Sequence, residues 1–234
     1  MNGLYRLYSA DIAPLRSAEL YRAAYRAVSA RRREKTDQLR FEQGRMLSIG
    51  VELLLMSACH DFGISYEHAQ ILENEYGKPY FSEIPLFFSL SHSGDQVLCA
   101  MGVAPVGCDI EQLNTVHPGI AGRFFSADEN RLLEKCTDEA KQQDIFYRIW
   151  TLKESFIKCT GHGLSIPLGS FCALPPGIGK IGWVRHHLDQ SNYAISEYAA
   201  DAGYRTALCI QCASVQTELQ HEIIFQKRSL GESL

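Results

Sequence analysis

Residues 87–100, "FFSLSHSGDQVLCA", decide how the rest of the chain is read. Two apolar, strand-prone runs flank "HSGD" (92–95), and a short Gly-containing break between such runs is a hairpin signal. A second stretch, "YAISEYAADAGYRTALCI" (193–210), has the same rhythm of strand, turn and strand, closing on Leu-Cys. Each half of the chain therefore has helical periodicity first and a β-hairpin late. Helices and strands that segregate rather than alternate indicate an α+β fold. The expectation is a pseudo-twofold pair of similar α/β lobes with mostly antiparallel sheets. Their boundary falls at "APV" (104–106), giving an N-terminal lobe of residues 1–105 and a C-terminal lobe of 106–234.

Outward from the first hairpin, residues 3–9 read as a short strand and 15–30 as a helix. A longer helix is expected over about 36–60, from apolar positions Leu39, Met46, Leu47, Val51, Leu54 and Leu55. "YGKPY" (76–80) breaks the periodicity and is a loop. "VGCDIE" (106–111) is a short strand. "SADE" (126–129) has the Ser-x-x-Glu form of a capping box. A further helix should run over about 138–160 and stop at "GHG". Short strands follow in "SFCAL", "IGWVRHH", "NYAISEY", "YRTALCIQC" and "EIIF", and "QKRSLGESL" is expected as a frayed tail.

At 46% hydrophobic and 21% charged, the composition is that of a soluble globular protein with a full core. No apolar run approaches a membrane span, and the N-terminal residues lack the pattern of a signal peptide. These readings give the expectation of a cytoplasmic protein without membrane contact. The eight cysteines are scattered, mostly in apolar runs, and read as buried thiols. Cys209 and Cys212 form one CxxC, but on a strand an i,i+3 pair points to opposite faces. A net charge of −4 argues against a nucleic-acid partner. The charge is uneven, however: Arg22, Arg26, Arg31, Arg32, Arg33, Lys35, Arg40 and Arg45 crowd residues 22–45. That run is either a solvated basic face or a local site for an anion such as phosphate.

Asp109 and Glu111, at i and i+2 on a strand, share a face. Two like charges side by side call for a compensating cation, and Mg²⁺ suits two carboxylates completed by water and phosphate. A solvent-facing strand edge is the commoner explanation, and the pair alone does not displace it. In "WTLKESFIK" (150–158), Trp150, Glu154 and Lys158 share one helical stripe, while Lys153 lies about a hundred degrees away and is expected to reach solvent. A simple i,i+4 Glu–Lys pair would also explain Glu154 and Lys158. His92 starts a turn with Ser91, Ser93 and Gly94, whose small hydroxyls and exposed N–H groups could receive an anion, although a turn histidine is more often just a polar turn residue. Lys78, in "GKP", either binds phosphate or is simply exposed.

Five ordered motifs, "YGKP", "SLSHSG", "GCDIE", "RFFSADE" and "WTLKESFIKCTGHGLSIPL", closely resemble the 4′-phosphopantetheinyl transferases, in particular the long two-lobed, surfactin-type class. The resemblance covers roughly residues 30–175 and is strongest at "WTLKESFIK". It implies an active site between the two lobes of a monomer. It also implies Mg²⁺-dependent transfer of the phosphopantetheine arm of coenzyme A to a serine of an apo acyl or peptidyl carrier protein, releasing adenosine 3′,5′-bisphosphate. By resemblance Asp109, Glu111 and Glu154 are the Mg²⁺ ligands, and Lys158 supports the departing bisphosphate. Glu154, Lys158 and Glu111 form the catalytic set. Arg32, Lys35 and Arg45 resemble the basic patch at the CoA 3′-phosphate, and Lys78, Ser91, His92 and Lys158 resemble further CoA contacts. Met46 stands where some relatives have a hydroxyl residue. Glu129 is either a functional acid or only the capping-box residue. Ile120, Phe124 and Phe125 are candidates for an apolar carrier-docking strip. The rival readings are a non-catalytic CoA- or carrier-binding module, a short-class transferase assembled between subunits, and an unrelated Mg²⁺-dependent hydrolase.

Overall fold

The computed structural model describes residues 5–116, 119–213 and 223–230. Its strands are β1 (Tyr5–Asp11), β2 (Ile71–Glu73), β3 (Pro79–Phe81), β4 (Phe87–Ser93), β5 (Gln96–Gly102), β6 (Val106–Gln112), β7 (Ile181–Trp183), β8 (Asn192–Tyr198), β9 (Tyr204–Cys212) and β10 (Ile223–Arg228). Its α-helices are α1 (Ala18–Ala27), α2 (Ala30–Asp37), α3 (Glu42–Asp61), α4 (Ile120–Phe124), α5 (Ala127–Glu134) and α6 (Glu139–Thr160). The strands form two four-stranded sheets, ordered β10-β1-β5-β4 and β6-β9-β8-β7, and the small hairpin β2-β3.

Strand alternation sets the layers. Tyr8, Ala10, Val97, Cys99 and Met101 face α3, while Leu7, Leu98 and Ala100 face the second sheet. In that sheet Cys108, Leu208 and Ile210 face the first, while Ala207, Cys209 and Ile195 face α6. The order is α3, sheet, sheet, α6, an α+β pair of lobes related as the two hairpins suggested. Each fully buried aliphatic or aromatic side chain contributes roughly 1.5–3 kcal/mol. Cys209 and Cys212 do point to opposite sides of β9.

Several boundaries differ from expectation. The helix expected over 15–30 is a 3-10 turn, Ala13–Arg16, followed by α1, which ends at the extended Val28. Ser29 then caps a separate helix, its hydroxyl accepting from the Arg32 N–H, so α2 occupies 30–37 and α3 starts at Glu42. A charge-dense sequence with no apolar stripe gave no signal for that break. "SFCAL" contributes only an isolated bridge, Cys172 to Arg185.

The larger correction concerns the last strand. The sequence pattern places residues 223–228 in the C-terminal lobe, with Gln226 onward frayed. The strand pairs in parallel with β1 and so belongs to the first sheet. Asp61, at the end of α3, fixes this arrangement by receiving Tyr8 Oη at 3.1 Å, Arg6 and Arg228. Parallel pairing joins segments more than two hundred residues apart, which no local pattern encodes.

The approach of α6 to β6 positions the site. A Cβ at Gly107 would lie 2.0 Å from the Ser155 carbonyl oxygen and 2.3 Å from the Cys159 nitrogen. Only glycine lets the helix backbone rest directly on the strand. Gly107→Ala is expected to push α6 outward, at a cost of about 1–3 kcal/mol or more. Chemical denaturation would measure the cost. Wild-type stability in that variant would mean the contact is slack.

Candidate active site

β6 lies with one edge on β9 and its other edge against β4. Asp109 and Glu111 project to the α6 side, and α6 presents Glu154 and Lys158 toward them. Asp109 is buried at 3% exposure. Its Oδ1 accepts from Lys158 Nζ at 2.7 Å and from Ser91 Oγ at 2.8 Å, while its Oδ2 is buried with no hydrogen-bond partner. Glu111 Oε2 accepts from Ser93 Oγ at 2.8 Å. Glu154 makes no side-chain hydrogen bond to another described residue.

The electrostatics follow from this crowding. Burial, then Asp109, pushes the Glu111 carboxyl up, and hydrogen bonds from Ser93 and Trp150 only partly offset it. Burial and Asp109 likewise raise Glu154. Lys158 is raised overall, because the carboxylates, Asp109 foremost, outweigh burial, which alone would lower it. Three carboxylates facing one ammonium leave an excess of negative charge, and the orphaned Asp109 Oδ2 points to a missing partner. This donor set fits a hard divalent cation. No group of three or more His, Cys, Asp or Glu among the described residues is arranged to hold an ion unaided. A cation here would need phosphate or water oxygens to complete its shell.

A cavity of about 900 Å³ lies beside this cluster, between α2, α3, the β2-β3 hairpin and the end of α6. Of the residues singled out by sequence, Arg32, Lys35, Lys78, His92 and Lys158 line it. Lys158 thus belongs to both the cavity and the carboxylate cluster. Burial, reinforced by Lys158 and Lys35, holds the His92 imidazole below its ordinary pKa. Arg32 Nε is 2.7 Å from Glu52 Oε2, and the Ser29 N–H donates to Glu52 Oε1 at 2.7 Å.

Other candidates are placed differently. Arg45 does not line the cavity, and its Nε donates to the Leu39 carbonyl at 2.8 Å. Met46 is buried in the core, while Ser48 lines the cavity and shares a hydrogen bond with Thr36. Lys78 Nζ donates to the carbonyls of Val106 and Cys159, both at 3.1 Å. With Asn74, whose amide donates to the Gly161 carbonyl at 2.8 Å, it caps the C-terminal end of α6. Gly161 makes that cap possible with φ 74°, a left-handed conformation. The ammonium of Lys78 is therefore occupied by main chain, and burial lowers its pKa. Ser91 likewise spends its hydroxyl on Asp109 and Lys158.

Lys153 was expected in solvent. It is 1% exposed, donating to both oxygens of Glu129 at 2.9 and 2.7 Å and to the Phe171 carbonyl at 2.9 Å. Glu129 also receives the Ser126 and Ala173 N–H groups, each at 2.7 Å. The capping box is formed, and each Glu129 oxygen already accepts two hydrogen bonds. Phe125 is core, stacked on Phe146, whereas Ile120 and Phe124 are half-buried.

Sequence reasoning missed Glu52, and it read Ser93 only as part of an anion-receiving turn, not as a donor to Glu111. Glu52 was visible as a lone acid in the apolar run "SIGVELLLM", and Ser93 as the third member of the alternation Ser-x-Ser-x-Ser in "SLSHS".

The model of the 4′-phosphopantetheinyl transferase superfamily matches residues 105–209. The 4′-phosphopantetheinyl transferase ffp of Bacillus subtilis is 36% identical over 187 residues, 78% of this chain and 81% of its own. A second Bacillus subtilis 4′-phosphopantetheinyl transferase is 35% identical over 205 residues, 85% of this chain and 90% of its own. The 4′-phosphopantetheinyl transferase psf-1 of Bacillus pumilus is 36% identical over 184 residues, 78% of each chain.

Proposed function

This chain belongs to the 4′-phosphopantetheinyl transferase superfamily, and from that premise we propose how its own residues carry out the transfer. It moves the phosphopantetheine arm of coenzyme A to a carrier protein. The observation that carries the assignment of roles is the shared position of Lys158, in the cavity wall and 2.7 Å from Asp109. Coenzyme A places its nucleotide in the cavity, with the 3′-phosphate toward Arg32, Lys35 and His92. Its pyrophosphate reaches Lys158, which neutralises charge gathering on the departing bisphosphate.

Asp109, Glu111 and Glu154 would hold Mg²⁺, with the pyrophosphate completing the shell. When bound, the ion supplies charge neutralisation at the breaking anhydride. Glu154, which makes no side-chain hydrogen bond to another described residue, is the carboxylate free to take the proton of the attacking carrier serine. The carrier docks beside α4, where Ile120 and Phe124 offer apolar surface and Arg123 lies 5.2 Å over the Phe124 ring. The chain acts as a monomer in the cytoplasm, on an acyl or peptidyl carrier. Among the described residues no helix is long and apolar enough to cross a membrane.

Intact-mass measurement of an apo peptidyl carrier domain incubated with this protein, CoA and Mg²⁺ tests the reading. A gain of one phosphopantetheine arm, lost with chelator, is expected. Unchanged carrier mass with several apo carriers, despite measurable CoA binding, would leave the binding-module reading standing instead.

A pH dependence follows from His92. Its pKa is low in the free protein, and a nearby phosphate would raise it, so binding takes up a proton. Affinity for adenosine 3′,5′-bisphosphate should therefore strengthen in wild type relative to His92→Gln as pH falls toward the lowered pKa of the free imidazole. Calorimetric titration at several pH values reads this directly. Parallel profiles for the two proteins would remove His92 from the phosphate site.

A further inference from the structure

Among the described residues no strand pairs with the edge of β6 that faces β4, yet three of its N–H groups are hydrogen-bonded. Ser89 Oγ accepts from the Cys108 N–H at 3.1 Å, Ser91 Oγ from Ile110 at 3.4 Å, and Ser93 Oγ from Gln112 at 3.0 Å. The three contacts keep one sequence separation of 19 residues, so β4 and β6 run parallel in a fixed register. Serine hydroxyls here replace the carbonyls of a normal ladder. Two sheet edges can then meet without merging into one sheet, with these three buried N–H groups satisfied.

Two of these hydroxyls have a second task. Having accepted an N–H, Ser91 donates to Asp109 Oδ1 and Ser93 donates to Glu111 Oε2, both at 2.8 Å. Ser89 touches no carboxylate. Its neighbour Cys108 instead donates its thiol to the Ser89 carbonyl at 3.3 Å. One seam thus joins the lobes along its length and, over its last two rungs, fixes the carboxylate rotamers.

We propose that the last two rungs of this seam, Ser91 and Ser93, position the site carboxylates, with Ser93 the positioning residue for Glu111. This rests on reading Asp109 and Glu111 as cation ligands. Outer hydrogen bonds to ligating carboxylates orient them, and their loss costs about 10–100-fold in metal affinity. The three rungs offer an internal control, because a purely structural seam would make Ser89 and Ser93 equivalent.

The test is Mn²⁺ titration of the full chain by electron paramagnetic resonance, with CoA present and carrier absent. Ser93→Ala should weaken Mn²⁺ binding by about 10–100-fold. Ser89→Ala should leave it at the wild-type value, and Ser93→Thr should restore it to within a few-fold. Equal Mn²⁺ affinity in Ser93→Ala and wild type, or equal losses in Ser93→Ala and Ser89→Ala, would overturn the positioning role while leaving the cation site standing. No protein-bound Mn²⁺ in wild type would overturn the cation site itself, and the proposal with it.

Discussion

Glu129→Ala is expected to destabilise the fold by about 3–5 kcal/mol. The carboxylate is fully buried and accepts four hydrogen bonds from three groups: two from Lys153, one to each oxygen, and one each from the N–H groups of Ser126 and Ala173. Its removal strands an ammonium that is itself 1% exposed. Burial already lowers the Lys153 pKa, and Glu129 opposes that shift, so the variant should hold Lys153 neutral at a still lower pH. Domains are stable by only roughly 5–15 kcal/mol, and a loss of this size should show as poor soluble yield or a collapsed denaturation midpoint. Glu129→Gln keeps an acceptor and should lose less. A Glu129→Ala protein with wild-type stability but no activity would instead return Glu129 to the catalytic residues.

Glu111→Gln should do the opposite, lowering transfer by about 10²–10³-fold while the metal-free protein melts no lower than wild type. The sign comes from the raised pKa of Glu111. The folded state binds this proton more tightly than the unfolded chain, so stability falls as pH rises from the ordinary carboxylate pKa through the raised one. Above that window wild type carries a buried, repelled charge that glutamine lacks. Each kcal/mol so regained raises Tm by about 2–4 °C in a chain of this size. Added Mg²⁺ should stabilise wild type and not the variant. Calorimetry with and without Mg²⁺, beside initial rates of carrier modification, checks both halves. Retained activity within a few-fold would remove Glu111 from the reaction.

Much of the site was legible because strand and helix periods are rigid rules. Period two placed Asp109 and Glu111 on one face of β6, and the i,i+4 spacing placed Glu154 and Lys158 on one stripe of α6. Lys153 shows where the helical rule stops. Its angle on α6 was right, but what lies in that direction is Glu129 from α5 and the Phe171 carbonyl, not water. Lys78 shows the same limit: a loop lysine looks free until the α6 carbonyls it caps are folded against it.

The sequence by itself determined the two-hairpin plan, the helical stripe, the paired carboxylates and the capping box, since each rests on neighbours within a few residues. Only the tertiary structure decided that residues 223–228 complete the first sheet and that Gly107 lets α6 rest on β6. It alone joined the serines of β4 to the N–H groups of β6. These contacts pair residues 19 to more than two hundred apart, chosen by which buried polar groups and bare backbones meet when the layers close, and no local period carries that information.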